Sequence, residues 1–431
     1  MITLFPWQEG AAQRQLDLLL GGPLALNLSS TGIGKTFMTA WCLHKLGLPA
    51  LVVCPKSVLL NWHRVLGLAG VEIEGVINWE ALKTGSHSWW NGSKWMFRRP
   101  VCVVVDEVHR GASGVKSQCT EMLAMLKAYK IPKILLSATL ASTPLALRGV
   151  GFLAGLHQFN EPSFYDWCLR VGCVRVVRRT PYGPRTTIEL PAGPKGAAVM
   201  ARLYSVLAPY IIRLTPDDAP GFPETEITSK LFDVDASLTK EVAAEYRAVA
   251  DAIKYKSSDP LAMIMKARRQ SEIVKIPILK DLTVDAVAEG RSVVVFMNFR
   301  DTMRLLAMAL GEDKIVQIHG NQTIGERQRE IAAFQSNDKF ICLAQVQAGG
   351  LGVDLHDIHH VRPRTSFVSP SYSVSDMVQC LGRVWRAGGT KSFQMFVMLS
   401  NTVEERTHQS ILQKRKCLDA LTTGELWGND V

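Results

Sequence analysis

Residues 24–36 read LALNLSSTGIGKT, an apolar run followed by a turn with two glycines and the triplet Gly34-Lys35-Thr36. Residues 37–46 then repeat apolar side chains at helical spacing. A strand, a glycine-rich turn and a helix in this order are typical of a phosphate-binding loop. Glycines let the backbone approach a phosphate, and the N–H groups at a helix start attract negative charge. The stretch therefore predicts a nucleotide-binding α/β fold.

The same loop predicts how a nucleoside triphosphate is held. Lys35 is expected to neutralise the β- and γ-phosphates, and the Thr36 hydroxyl to bind magnesium. Ser29 stands where such loops usually begin with a glycine. The predicted cofactors are ATP and magnesium, and the predicted phosphate-binding residues are Thr31, Gly32, Ile33, Gly34, Lys35 and Thr36.

Outward from the loop, short apolar runs alternate with helical patterns. The runs are apolar throughout, which is typical of parallel strands buried on both faces. In the first part the predicted strands are Leu24–Leu28, Ala50–Cys54, Gly75–Asn78, Val101–Val105 and Lys133–Leu136. In the last part they are Ser292–Met297, Lys314–Ile318, Phe340–Ala344, an apolar segment near His360–Val361, and Ser392–Leu399.

The middle of the chain has longer helical patterns, at Gly196–Leu207, Ser237–Lys254 and Leu261–Glu289. The predicted fold class is therefore α/β, with two tandem parallel-sheet lobes and helical insertions between them. The predicted divisions are an ATP-binding first lobe at 1–155, a mainly helical region with the end of that lobe at 156–290, a second lobe at 291–405, and a C-terminal helix and tail at 406–431. Tandem lobes of this kind place a ligand cleft between their sheets.

Composition narrows the class of protein. Hydrophobic residues make up 47% of the 431 residues and the net charge is +10, which suits a globular protein with an anionic partner. The nine cysteines are scattered with no C-x2-C pair, a usage typical of a reducing compartment. We find no signal peptide and no apolar run of membrane-spanning length. We expect a soluble intracellular protein without a membrane partner, in a bacterial or infected-host cytoplasm or in a nucleus.

A pair of carboxylates supplies the acidic groups that the phosphate loop lacks. The apolar run 101–105 ends in Asp106 and Glu107, at the sheet edge where ligands of parallel sheets bind. Asp106 is predicted to hold magnesium, and Glu107 to orient and deprotonate the attacking water.

Further short segments follow in a characteristic order along nearly the whole chain. In the first half they are FPWQ at 5–8, CPKSVLLNW at 54–62, INWE at 77–80, DEVH at 106–109, LSAT at 136–139, and LAPYIIRL at 207–214 followed by FP at 222–223. In the second half they are VVVFMNF at 293–299, QAGGLGVDL at 347–355, QCLGRVWR at 379–386 and TVEE at 402–405. This order resembles the superfamily 2 helicases, and within them the Swi/Snf-type branch with its DExH box, including minimal phage and annealing-helicase-like motors.

The resemblance implies two RecA-like lobes and gives roles to more residues. Gln8 is expected to contact the adenine base. The residues expected to couple the ATP site to lobe closure are His109, Ser137, Thr139 and Asp354. The last long segment supplies Gln379 and two arginine fingers, Arg383 and Arg386, predicted three apart on one helix face. With Lys35, Asp106 and Glu107 they form the predicted catalytic set.

Nucleic-acid contacts are expected on two kinds of residue. By resemblance, the backbone is tracked by Lys56, Ser57, Asn61, Asn78, Gly349 and Gly350. Three basic groups, the first of them in the stretch 167–188 without an acidic residue, offer further phosphate contacts. They comprise Arg170, Arg175, Arg178, Arg179 and Arg185, then Lys254, Lys256, Lys266, Arg268 and Arg269, and finally Lys414, Arg415 and Lys416.

Some positions depart from the branch. Ser30-Thr31 stands where Asp-Glu is usual, and Val368-Ser369-Pro370 where Trp-Asn-Pro is usual. We expect a monomeric ATP-driven translocase on double-stranded DNA that remodels forks or branched DNA, with protein partners for targeting as a further possibility. A strand-separating DNA or RNA helicase is the close alternative, and a non-hydrolysing nucleic-acid-binding scaffold is the alternative of another class.

Overall fold

The fold is taken from a computed structural model of the chain. It describes residues 2–85, 87–109, 115–180, 183–234, 260–349, 353–371 and 373–400, with single residues between 240 and 248 and at 402 and 404.

The described residues form two sheets of parallel strands joined by helices, and one antiparallel pair of strands. The strands are β1 Leu24–Asn27, β2 Ala50–Val53, β3 Ile73–Ile77, β4 Cys102–Asp106, β5 Lys133–Leu136, β6 Val174–Thr180, β7 Gly183–Glu189, β8 Ile211–Ile212, β9 Thr225–Phe232, β10 Ser292–Met297, β11 Ile315–Ile318, β12 Ile341–Gln345, β13 Arg364–Val368 and β14 Ser392–Leu399. The helices are α1 Pro6–Gly21, α2 Lys35–Leu46, α3 Leu59–Ala69, α4 Trp79–Lys83, α5 Gln118–Met125, α6 Arg148–Leu153, α7 Glu161–Val171, α8 Pro194–Leu207, α9 Pro260–Val274, α10 Ile276–Ala288, α11 Arg300–Leu310, α12 Ile324–Gln335, α13 Val346–Gly349 and α14 Val374–Val384.

The first sheet has the order β3-β2-β4-β5-β1-β8, and all of its pairs are parallel. Its central strands are buried on both faces, as their uninterrupted apolar sequence predicts. Strands β4, β5 and β1 are neighbours, so their carboxyl ends lie together at one edge. Asp106, Ser137 and the phosphate loop stand at those three ends, and the topology therefore collects them.

The second sheet has the order β11-β12-β10-β13-β14-β9, again with parallel pairs. Strand β9 lies at its edge and pairs with β14 along eight residues, from Thr225 to Phe232. The two six-stranded parallel sheets confirm the predicted α/β fold class.

The chain divides into two compact units, one holding the chain up to Pro220 and the other beginning at Gly221. Strand β8 belongs to the first unit and β9 to the second, so the change of sheet falls between them. Among the described residues no helix combines the length and the apolar character needed to cross a bilayer.

Several predicted elements differ from the structure. The segment near His360–Val361 is not a strand, because His360 adopts a left-handed backbone with φ 57° and Val361 is exposed; the strand begins at Arg364. The run Leu261–Glu289 is two helices that meet at Lys275, since Pro277 opens the second one.

The region 156–290 contains strands as well as helices. Strands β6 and β7 pair as an antiparallel ribbon, and β9 joins the second sheet. The helical pattern missed these strands because exposed arginines and threonines interrupt their apolar residues. Most of the predicted helix Ser237–Lys254 and all of 406–431 lie outside the described residues.

Candidate nucleotide site and associated motifs

The phosphate loop connects β1 to α2 in the way the sequence predicts. Gly32 and Gly34 have φ angles of 78° and 88°, in the region that favours glycine. A side chain at Gly34 would collide with the amide of Gln8. Helix α2 begins at Lys35 and has no acidic residue in its first turn. Its N-terminus is therefore positive and open to an anionic ligand.

The Lys35 ammonium folds back onto its own loop. Its Nζ donates hydrogen bonds to the carbonyl oxygens of Ser29 at 2.8 Å and Ser30 at 3.0 Å. It also lies close enough to Asp106 to favour the charged carboxylate there. Lys35 is thus placed between the loop and the acidic end of β4.

Ser29, the departure from the usual glycine, has a structural role. Its buried Oγ accepts a hydrogen bond of 3.0 Å from the backbone N–H of Leu214. The N–H of Ser30 donates to the Leu214 carbonyl at 2.9 Å, and Nη1 of Arg213 donates to the Leu28 carbonyl at 3.1 Å. The segment after β8 therefore fastens the beginning of the phosphate loop.

Gln8 lies against the phosphate loop. Its Nε2 donates to the Ile33 carbonyl at 2.8 Å, and its Oε1 accepts from the Phe5 N–H at 3.1 Å. The side chain is buried, and its amide is held at both ends. The structure thus fixes Gln8 beside Gly34, while its predicted contact with the adenine base stays a prediction.

The two carboxylates stand at the end of β4. Nε1 of Trp62 donates to Oδ2 of Asp106 at 2.9 Å, and the Glu107 N–H donates to Oδ1 at 3.0 Å. Burial, reinforced by the Glu107 charge, raises the pKa of Asp106 to about 6. Glu107 has φ 50°, an unusual value for a residue with a side chain, and such strain is concentrated at functional sites.

These residues fit a magnesium ion. Glu107 Oε2 is buried and accepts no hydrogen bond from a described residue, and its carboxylate adds to the charge that disfavours ionised Asp106. A divalent cation offsets both effects, and oxygen ligands are the ones it prefers. Thr36 and Asp106 would hold it, leaving most positions to phosphate oxygens and water.

The predicted coupling residues of the first unit meet at one hydroxyl. Ser137 Oγ lies 2.8 Å from Nδ1 of His109 and accepts from the Thr139 N–H at 3.1 Å. Nδ1 of His109 is also 3.4 Å from Oε2 of Glu107. A chain of polar contacts therefore runs from Glu107 through His109 and Ser137 to the residues after β5.

One cluster of three buried polar side chains was not predicted from the sequence. Asn27 Nδ2 donates to Gln15 Oε1 at 2.9 Å, and Gln15 Nε2 donates to Thr39 Oγ1 at 3.3 Å. All three side chains are fully buried, and Asn27 Oδ1 also accepts from the Ser29 N–H. The signal was present, since Asn27 is the one polar residue in β1. These contacts join α1, β1 and α2 behind the loop.

The predicted nucleic-acid residues of the first unit have separate environments. Lys56 and Ser57 lie in a short 3-10 turn before α3, with Lys56 exposed. Asn61 accepts a hydrogen bond from Arg64. Asn78 caps α4 by accepting from the Ala81 N–H at 3.0 Å, so its side chain has a structural role. In the second unit Gly349 ends α13, whereas Gly350 lies outside the described residues.

The two arginines do not share a helix as predicted. Helix α14 ends at Val384, because Trp385 turns extended and its Nε1 donates to the Pro223 carbonyl at 2.6 Å. Arg383 is buried on the helix, and Arg386 follows beyond its end. Arg386 forms an ion pair with Asp354 and donates from Nε to the Gly382 carbonyl at 2.9 Å.

The remaining predicted residues of the second unit lie around α14. Gln379 is buried on the helix, and the Arg383 carbonyl accepts from the Leu355 N–H at 3.0 Å. The backbone after Asp354 is therefore fastened to α14. This contact and the Arg386 ion pair bring Asp354, Arg383 and Arg386 together within the unit.

Two buried charged residues, Glu272 on α9 and Lys275 between α9 and α10, were not predicted from the sequence. Glu272 accepts hydrogen bonds from the N–H groups of Asn298 and Phe299, at the start of α11. Lys275, fully buried, donates to Ser369 Oγ at 2.8 Å and forms a 2.7 Å ion pair with Glu404. Lys275 thus binds both Ser369, a departure from the branch, and Glu404, part of its closing segment.

Comparison with known proteins gives matches across the chain. The Helicase conserved C-terminal domain matches residues 274–388. A protein of Acanthamoeba polyphaga mimivirus, named "Putative ATP-dependent RNA helicase L364", is 30% identical over 475 residues, covering 99% of this chain and 85% of that protein. "Uncharacterized ATP-dependent helicase MG018" of Mycoplasma genitalium is 24% identical over 93% of this chain, which spans 40% of that protein's length.

A shorter match comes from Oryza sativa subsp. japonica. Its "SNF2 domain-containing protein ENL1" is 30% identical over 139 residues, covering 31% of this chain and 14% of that protein. Since the match to the mimivirus protein spans almost the whole chain and the site residues stand in the expected order, this chain belongs to the superfamily 2 helicases, in their Swi/Snf-like branch, and is a nucleic-acid-dependent ATPase.

Proposed function

We propose that the protein is a monomeric translocase that uses ATP and magnesium to move on double-stranded DNA and remodel forks or branched DNA. The observation that carries this proposal is the bond between Ser29 Oγ and the Leu214 N–H. The segment 207–214 resembles one particular to the Swi/Snf-type branch, and here it supports the phosphate loop itself. The resemblance of this segment to that branch, whose motors are expected to push duplex without separating its strands, supports duplex over a single strand as the substrate.

Each catalytic residue receives a proposed role. Lys35 neutralises the phosphates, Thr36 and Asp106 hold magnesium, and Glu107 orients and deprotonates the attacking water. Magnesium, when bound, supplies positive charge against the phosphate oxygens. Arg383 and Arg386 stabilise the charge that develops on the γ-phosphoryl group, with Gln379 beside them.

The nucleotide base and the motor movement involve further residues. Gln8 reads adenine, held in place by the Phe5 N–H and the Ile33 carbonyl. The Ser137 hydroxyl links His109 to Thr139, and this cluster transmits the state of the carboxylate pair. In the second unit Asp354, paired with Arg386, has the matching role.

The nucleic-acid path is proposed on loop and helix-start residues, which grip phosphates without reading bases. The residues are Lys56, Ser57, Asn61, Asn78, Gly349 and Gly350. Asn78 is the weakest of them, because its side-chain oxygen already caps α4.

The test is ATPase activity across defined substrates at equal nucleotide concentration: duplex DNA, single-stranded DNA, a fork, a four-way junction and RNA. We expect the largest stimulation from duplex or branched DNA. Maximal stimulation by RNA alone would contradict the proposed substrate. Lys35→Ala and Glu107→Gln serve as variants that should abolish phosphate release; unchanged release would instead favour a non-hydrolysing scaffold.

One observation supports the close alternative, a strand-separating helicase. The mimivirus relative is named an RNA helicase, and it is similar over nearly the whole chain. A labelled-strand assay separates the two proposals. The translocase displaces a third strand from duplex DNA without melting the duplex, whereas the alternative releases one strand of a tailed DNA or RNA duplex.

A further inference from the structure

Strands β6 and β7 form a two-stranded ribbon of their own. Seven residue pairs join them, from Val174 with Glu189 to Thr180 with Gly183. No third described strand joins this sheet. The ribbon is anchored at its base, where Cys173 and Ile188 pack against the core of the first unit. A lone two-stranded ribbon is only marginally stable by itself. We therefore expect the part of the ribbon beyond its anchor to have a function other than stabilising the fold.

The ribbon is basic. Its residues 174–189 contain four arginines and one acidic residue, Glu189, which pairs with Val174 at the anchored end. Arg175 and Arg185 are exposed, and neither forms an ion pair with a described residue. The register places Arg178 directly opposite Arg185.

Apolar side chains on the ribbon are also open to solvent. Val174 is 43% exposed and Val177 is 66% exposed, each beside an arginine in sequence. Exposed valines next to arginines suit a surface that is covered when a partner binds. A partner that suits this surface is anionic and also exposes some apolar surface, such as sugars or base edges.

We propose that the β6–β7 ribbon is a second nucleic-acid contact, outside the family motifs, that lies in the groove of a duplex. This inference rests on the proposed action on duplex DNA. Strands about 4.8 Å apart make a ribbon that fits the major groove, which is about 12 Å wide. Both strands carry arginine, and a groove has phosphates along both of its walls. Arginine pairs with phosphate through two parallel hydrogen bonds.

The test is a double variant, Arg175→Ala with Arg185→Ala, in the full chain. Affinity for a duplex is measured by fluorescence anisotropy without nucleotide, across a salt series. Each lost phosphate contact lowers the slope of log affinity against log salt by about 0.9, so we expect a fall of about 1.8. At moderate salt we expect binding to weaken roughly 10-fold or more.

Two matched variants keep the result interpretable. Arg175→Lys with Arg185→Lys retains both charges and should keep most of the salt slope. This variant distinguishes the loss of charge from a loss of folding as the cause of weaker binding. Lys94→Ala with Arg98→Ala removes the same charge from an exposed loop of the same unit and should bind duplex as the natural chain does.

Each outcome bears on one claim. Unchanged affinity and slope in the alanine variant would overturn the ribbon contact, while ATPase stimulation by duplex in that variant would still support the proposed function. Equal loss on single strands of the same length would overturn the placement in a groove. Absence of duplex binding and of duplex stimulation in the natural chain would overturn the proposed function itself.

Discussion

Nε1 of Trp62 lies 2.9 Å from Oδ2 of Asp106 and donates a hydrogen bond to it. Trp62 is fully buried on α3, one residue after Asn61, which is proposed to track nucleic acid. The bond therefore joins that segment to the carboxylate proposed to hold magnesium.

Replacing Trp62 with Phe removes this donor and keeps an apolar ring. We expect weaker magnesium binding and a lower ATPase rate, because the buried carboxylate loses a hydrogen bond that favours its charged form. The magnesium concentration for half-maximal nucleotide binding measures the effect. Trp89→Phe is the matched control, since its indole donates to Glu74 at 3.0 Å in the same unit. Equal effects of both variants would contradict a specific role for Trp62.

Ser29→Ala tests how the phosphate loop is fastened. The Leu214 N–H then loses its acceptor, and we expect a loss of about 1 kcal/mol or more of stability together with a higher KM for ATP. Thermal unfolding and ATPase kinetics measure the two effects. In Ser30→Ala the backbone bond to Leu214 remains, so this variant should resemble the natural chain. A natural KM in Ser29→Ala would sink the idea.

The Lys275–Glu404 ion pair predicts a strong asymmetry between single and double variants. Lys275→Met leaves the Glu404 carboxylate without its buried partner, and breaking such a pair costs about 3–5 kcal/mol. A double change of both residues to Met leaves no unpaired charge, so we expect it to be closer to the natural chain. Urea unfolding of the full chain measures both. Additive losses would rule out the coupling.

His356 predicts a loss of stability in acid. Burial lowers its pKa to about 4 from 6.5, with nearby Arg386 acting in the same direction and Asp354 opposing it. Between these two values the unfolded chain binds a proton that the folded chain does not. Stability contributed by neutral His356 should therefore fall as the pH drops from about 6.5 to about 4. Thermal unfolding of His356→Gln across this range should show a shallower pH dependence; an identical slope would disprove it.

Sequence patterns predicted most strands of the two sheets, because the apolar pattern of a buried strand lies in residues that are neighbours along the chain. Runs such as 101–105 and 293–297 are apolar without alternation, which is typical of a strand buried on both faces. The ribbon β6–β7 was not predicted from the sequence, because exposed arginines interrupt the apolar pattern of its strands. Strand β13 was misplaced by a few residues, since the backbone of His360 turns left-handed before it.

The sequence motifs predicted which residues belong to the site, but not which residues they contact in the fold. The regular spacing of Arg383 and Arg386 predicts one helix face, yet the helix ends at Val384 because Trp385 is bonded to Pro223. That bond spans more than a hundred residues of chain, and no local pattern contains it.

The sequence by itself determined that this chain has a phosphate loop, a carboxylate pair and parallel sheets, since each depends on residues close together along the chain. Only the tertiary structure decided that Ser29 is fastened by Leu214, that Trp62 supports Asp106, and that Lys275 pairs with Glu404. Those contacts join residues far apart in sequence, and they form because buried polar groups must find partners wherever the fold brings one within reach.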